Sequence, residues 1–177
     1  MQARIGRPRR IVGSDPGQEN AVSARDAIEN LIYRYAECID AGDLEGVAEL
    51  FAHGEVVNEG VEGSQKGREA VLALYRAATR IYEGTRTPRT MHVTTNVIVE
   101  ADEEAGTASS RSYFTVFQQT PQLPLQPIIG GRYHDRFERV EGEWRFASRK
   151  IFCDLFGDLS HHLLFDSEVL TQGRDGS

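Results

Sequence analysis

The sequence predicts an α+β domain, a cone-shaped, strongly curved and mostly antiparallel sheet with three helices packed on it. Two observations carry this. The amphipathic helical stretches all fall in the first half of the chain, and from Arg89 onward four long runs with strand-like alternation follow one another across turn-forming segments. Helices that precede a meander segregate to one side of an antiparallel sheet. A sheet curved around them makes a cone, whose open end is a natural pocket with apolar walls and a few polar groups.

The elements follow in order. Residues 1–20 mix Arg, Pro, Gly and Asp without periodicity and read as a disordered arm, ahead of a single domain over residues 21–172 and a frayed tail over 173–177. Ser23 offers a helix cap, and Ile28, Leu31, Ile32, Tyr35 and Ile39 then recur at helical spacing. Gly42 suits the left-handed conformation that ends a helix, and Asp43 caps a second helix over 44–51 whose stripe is Leu44, Val47, Ala48, Leu50 and Phe51. Residues 53–60, with Val56 and Val57, read as a short strand. An Ala- and Leu-rich run over 67–81 carries Val71, Leu74, Tyr75 and Ala78 on one side and gives the third helix. Four strands are expected over 89–100, 108–119, 128–140 and 144–156, with turns at 102–106, 121–127 and Glu141-Gly142. Residues 159–164 then offer one more helical turn over the rim.

Composition narrows the function. A chain of 177 residues buries one good core, and a net charge of -7 argues against a nucleic-acid backbone as partner. No run approaches a membrane span, and the first ten residues have charge without the apolar core of a signal peptide, so a cytoplasmic protein is expected. Cys38 and Cys153 are expected to be reduced thiols rather than a disulfide framework. No phosphate loop, zinc-knuckle spacing or serine nucleophile elbow occurs. His134 and Asp135 are adjacent on a strand and point to opposite faces, which suits no single ion, so no metal is expected. Trp144 is assigned to the core or a subunit contact, and His161-His162 to the rim or surface.

Asp40 stands out because it is a carboxylate in the last turn of the first helix, where the macrodipole disfavours negative charge by about 0.3 to 1 kcal/mol. Two readings are open: a solvated residue at a corner, or the partner of a group that becomes positive during chemistry. His92, on the first long strand, is the candidate for that group. By alternation Met91, Val93, Val97 and Val99 share one face there, and His92, Thr94, Asn96 and Ile98 the other. Such a half-polar face is either solvated or the wetter lining of a pocket.

Four segments carry a wider resemblance: residues 33–51 around Asp40, Thr90-Met-His-Val-Thr-Thr-Asn96, Gly131-Arg-Tyr-His-Asp-Arg-Phe137, and Gly142-Glu-Trp-Arg-Phe-Ala-Ser-Arg149. Together they resemble the SnoaL-like branch of the nuclear-transport-factor-2-like (NTF2-like) superfamily, of the scytalone dehydratase and bile acid 7-alpha-dehydratase type. The resemblance implies that Asp40 faces His92, that Tyr35 is a proton-handling side chain and that Arg149 lines the pocket. Asn96, Tyr113 and the flanking Tyr33 complete the candidate substrate-binding set, while Arg111, Tyr113 and Thr115 stand where individual members carry further acidic or histidine groups.

The activity so implied is that of a lyase (dehydratase) or isomerase. It would need neither metal nor organic cofactor and would act on a hydrophobic, cyclic hydroxy-carbonyl compound through an Asp/His acid-base pair. The alternative is a non-catalytic ligand-binding protein, or a small subunit resembling the beta subunits of ring-hydroxylating dioxygenases. Epoxide hydrolysis of the limonene epoxide hydrolase kind requires an Asp-Arg-Asp arrangement on facing strands, and no sequence signal places a second aspartate there. A homodimer or homotrimer, associated through the outer face of the sheet, is expected from the same resemblance.

Overall fold

The computed structural model describes residues 22–166, so the arm expected over 1–20 and the tail expected over 173–177 lie outside the described residues. Helix α1 (Ala24–Asp40) starts at Ser23, whose side chain accepts from the Asp26 N–H, and buries Ile28, Ile32, Tyr35 and Ile39. Helix α2 (Leu44–Leu50) is capped by Asp43 and buries Val47 and Ala48. Strand β1 (Glu55–Asn58) and the two-residue strand β2 (Gln65–Lys66) lead into helix α3 (Gly67–Ala78), which buries Val71, Leu72 and Tyr75. The meander is β3 (Thr90–Asp102), β4 (Thr107–Gln118), β5 (Gln126–Val140) and β6 (Glu143–Phe156).

These strands form one six-stranded sheet in the order β2-β1-β6-β5-β4-β3. Every pairing is antiparallel except β1 with β6, which is parallel because the chain must cross α3 and the whole meander before it returns beside β1. The predicted α+β architecture, helices on one side of a curved and mostly antiparallel sheet, is therefore what forms. Three details differ. Strand β2 is too short to leave a periodic signal. Helix α3 stops at Ala78 because Thr79 turns extended and bridges Leu163 of the C-terminal segment. Strand β5 begins at Gln126 and takes in Pro127, which the ladder tolerates at a register shift opposite Val116 and Phe117.

Irregularities in the ladders decide which side chains face inward. Between Thr95 and Ile98 the β3–β4 register slips, with Asn96 in the left-handed region at φ 53°. A bulge reverses the alternation beyond it. His92 and Thr94 thus belong to the inner face together with Val97 and Val99, whereas Asn96 and Ile98 turn outward. A second slip, between Arg136 and Phe137 on β5, lets Arg149 on β6 pair with Asp135 and point inward. The core lies between this inner face and α1, with the buried rings of Phe51, Phe146 and Phe137 packed in tilted contact, centroids 4.8 Å apart in each pair.

Candidate active site

The end of α1 is shaped to deliver a carboxylate. Gly42, at φ 75°, terminates the helix while its N–H donates to the Ile39 carbonyl and the Asp43 N–H to that of Cys38. A Cβ at position 42 would strike the main-chain oxygen of Arg86, so glycine is required twice over. This turn leaves Asp40 over the first residues of β3, where three donors reach it. The Thr90 hydroxyl donates to Oδ1 at 2.7 Å, the His92 N–H donates to Oδ2 at 2.7 Å, and His92 Nδ1 lies 2.6 Å from Oδ1.

Burial of Asp40 favours its neutral acid, but the His92 side chain, its backbone N–H and the Thr90 hydroxyl outweigh that and hold the carboxyl below the ordinary carboxylate value. An ionised carboxylate only accepts, so Nδ1 carries the proton of this hydrogen bond. Nε2 is then the imidazole nitrogen with a lone pair available, on a ring only 6% exposed. The reading of Asp40 as a solvated corner residue does not describe this geometry.

His92 lines a cavity of about 370 Å³ that opens between α1, α3, the inner face of the sheet and the C-terminal segment. Its walls are apolar, from Ile39, Leu74, Val116, Ile129, Ile151 and Leu163 among others, and three tyrosines, Tyr35, Tyr75 and Tyr133, are set among them. The Tyr35 and Tyr75 hydroxyls are 2.8 Å apart and Tyr35 is also hydrogen-bonded to Tyr133, so two of the three phenol protons are used within this cluster and one O–H remains to point elsewhere. The Tyr35 ring meets His92 edge-on at 6.4 Å. Burial raises all three phenols above their ordinary value, most strongly at Tyr75 and Tyr133, so they stay protonated hydrogen-bond donors at neutral pH.

Arg149 lies behind these rings rather than in the cavity wall. Fully buried, it grips Asp135 through Nε at 2.9 Å and Nη2 at 2.8 Å, and its guanidinium sits 4.3 Å from the Tyr35 ring and 4.0 Å from that of Tyr133. Burial opposes its charge, yet Asp135 overcomes this and raises its pKa further. The pair therefore acts on the cavity through the tyrosines that it orients.

Of the seven residues singled out from sequence, Asp40, His92 and Tyr35 come together at one end of the cavity, with Arg149 one layer beneath. The other three do not join them. Asn96 and Tyr113 lie on the outer face, in a groove shared with Arg111, Arg132 and His134, because of the β3 bulge and the outward phase of β4. Tyr33 is 42% exposed on the solvent side of α1, two residues from Tyr35 and so on another face of the helix. Neither Cys38 nor Cys153 forms a disulfide bond, and Cys153 lines the cavity. Among the described residues no cluster of His, Cys, Asp and Glu is arranged to hold a metal ion, and no helix is long and apolar enough to cross a membrane.

Two cavity groups escape sequence reasoning. Tyr133 shares its motif with the conspicuous His134, but only the β5 register turns Tyr133 inward and His134 outward. His162, which reads as rim or surface, is instead 9% exposed and lines the cavity. Burial, and after it the nearby His92, lower its pKa to about 4 against a smaller opposing effect of Asp40, so it is neutral at physiological pH.

Comparison with known proteins agrees with this architecture. Similar solved structures include an NTF2-like protein with a cystatin-like fold from Novosphingobium aromaticivorans, at 25% identity and a TM-score of 0.62 over 77% of this chain and 85% of that one. A protein provisionally assigned as a scytalone dehydratase, from the same organism, matches at 25% identity and 0.59 over 76% and 86%. LinA matches in fold, at 23% identity and 0.59 over 77% and 90%. No curated protein sequence matches the chain. The profile of the SnoaL-like domain covers residues 20–150, most of the described chain, and the protein belongs to the SnoaL-like domain family.

Proposed function

We propose that the protein is a lyase or isomerase that removes a proton next to a carbonyl group of a hydrophobic, cyclic hydroxy-carbonyl compound, using its own side chains for the acid-base chemistry. The observation that carries this reading is the Asp40–His92 pair at the edge of an apolar cavity, with Nδ1 on the carboxylate at 2.6 Å. Neutral imidazole is a suitable base at physiological pH, and a fixed carboxylate stabilises the imidazolium that forms. The similarity to a protein provisionally assigned as a scytalone dehydratase supports the dehydratase form of the reaction.

In that form His92 Nε2 takes the proton from the carbon beside the carbonyl, and the C–H electron pair moves into an enolate. The enolate re-forms its carbonyl while the C–O bond of the neighbouring hydroxyl breaks, and the departing oxygen takes a proton from the imidazolium and leaves as water. His92 ends neutral, as it began. In an isomerisation the imidazolium returns its proton to a different carbon of the same enolate. The O–H left over from the Tyr35–Tyr75–Tyr133 cluster donates to the enolate oxygen, a hydrogen bond that strengthens as negative charge builds there. Arg149 contributes by orienting Tyr35 and Tyr133.

The compound 3-hydroxy-1-tetralone tests the reading, because loss of water from it gives 1-naphthol with a distinct absorbance. The protein is expected to accelerate that loss, and Asp40→Asn and His92→Ala should each cut the rate about a hundredfold or more with the fold intact by circular dichroism. Undiminished rates in both variants would refute the acid-base pair.

A further inference from the structure

His162 is a polar ring of the cavity without a role in the chemistry above. It is supplied by the C-terminal segment that lines one side of the cavity, and that segment is held at several points. Gln118 Nε2 donates to the carbonyls of Pro88 at 3.0 Å and His161 at 3.1 Å, and the Tyr82 hydroxyl also donates to the His161 carbonyl, at 2.6 Å. The Arg80 N–H donates to the His162 carbonyl at 2.9 Å, Arg80 Nη2 to that of Leu163 at 3.0 Å, and the Leu164 N–H to that of Ala78 at 3.0 Å. The His162 N–H closes the turn onto Leu159 at 2.9 Å. The main chain on both sides of the imidazole is thus fixed to three separate elements.

The ring itself is treated in the opposite way. Its Nδ1 is buried and has no hydrogen-bond partner among the described residues, although a buried polar atom is normally satisfied. A histidine kept only for packing would be replaced at no loss by an apolar residue. Nδ1 is enclosed, so the nitrogen of this cavity-lining ring that a ligand can reach is Nε2, which has no hydrogen-bond partner among the described residues; a pre-positioned imidazole of this kind is what a site looks like when its partner is the ligand. The environment also keeps this ring neutral, and a neutral imidazole both donates one N–H and accepts at the other nitrogen, whereas His92 is committed to Asp40.

We infer that His162 is a substrate-binding residue of this cavity, one that hydrogen-bonds an oxygen of the bound ring compound and is carried by the C-terminal segment lining the cavity. The inference rests on the proposed function for the class of ligand and on the geometry above for the contact. A neutral imidazole held against a carbonyl or hydroxyl oxygen polarises it without supplying a full charge, a use of histidine known from other enzymes. His92 would then handle the proton while His162 fixes which oxygen faces it.

Two probes of nearly the same shape, 1-naphthol and naphthalene, separate a hydrogen bond from packing. Binding to the full-length protein is measured by fluorescence for wild type, His162→Leu and His162→Gln. In His162→Leu the affinity for 1-naphthol should fall about tenfold while that for naphthalene stays within about twofold, and His162→Gln should recover most of the loss. In wild-type protein with ¹⁵N-labelled histidine, 1-naphthol should move the ring-nitrogen resonances of His162 as well as those of His92, a readout that needs no variant to fold. Equal losses for both probes, unchanged 1-naphthol affinity, or a ligand-induced shift at His92 alone would each overturn the role of His162. Those outcomes leave the Asp40–His92 reading to the dehydration assay. Absence of any binding of 1-naphthol to wild type would overturn the inference outright.

Discussion

Asp40 is held by three donors, and each can be removed separately. Thr90→Val deletes the hydroxyl that donates to Oδ1, which should raise the Asp40 pKa toward its ordinary value and weaken the His92 anchor by about 1 kcal/mol. The pH–rate profile on 3-hydroxy-1-tetralone should show the acidic limb displaced to higher pH; an unmoved limb would mean that Thr90 does not tune this carboxylate. Arg149 and Asp135 are another kind of pair, fully buried and bidentate. Arg149→Met leaves a buried carboxylate without its partner, and urea denaturation should show a loss of about 3 to 5 kcal/mol. At this scale local sequence draws attention to Asp40, an acid at a helix C-terminus, but leaves its role open, and it is the family resemblance that pairs it with His92 on the next long strand. Arg149 is visible as a residue but not as a pair, because Asp135 meets it across two strands and through a register shift.

At the scale of the elements, the helices and the meander are legible because their signals lie within a dozen residues: caps at Ser23 and Asp43, apolar stripes on the helices, glycine turns at Gly106 and Gly142. The β3 bulge is not. Strict alternation puts Asn96 and Ile98 on the face of His92, and only the slip between Thr95 and Ile98 carries them outward. Asn96 tolerates the left-handed backbone that this slip needs, as Gly would and a β-branched residue would not. Asn96→Val should therefore cost about 1 to 2 kcal/mol, and Asn96→Gly well under 1, by thermal denaturation. Equal effects would remove the backbone explanation. The C-terminal segment escapes for a related reason: Thr79 and Leu163 pair across more than eighty residues of chain, and nothing near either one announces it.

For the molecule as a whole, the neutral state of His162 couples cavity structure to pH. Its pKa is lowered from 6.5 to about 4 in the folded chain, so the unfolded chain binds the proton more readily. The stabilising effect of the neutral ring is complete above about pH 6.5 and is lost as pH falls toward 4, a difference of about 3 kcal/mol. Asp40 has the usual carboxylate sign, with stability present above the ordinary carboxylate value and lost as pH falls through its lowered folded value. Urea unfolding at pH 7 and pH 4.5 should show the wild type losing about 2 kcal/mol more than His162→Gln between the two conditions. Equal losses would mean that His162 titrates normally.

Whether the cavity removes protons from carbon can be measured without knowing the natural substrate. In D₂O, the protons beside the carbonyl of 1-tetralone exchange slowly on their own, and NMR follows the loss of their signal. Wild-type protein should accelerate this exchange, with His92→Ala reducing the acceleration about a hundredfold or more. Exchange no faster than in buffer, or as fast with His92→Ala as with wild type, would contradict a base at His92.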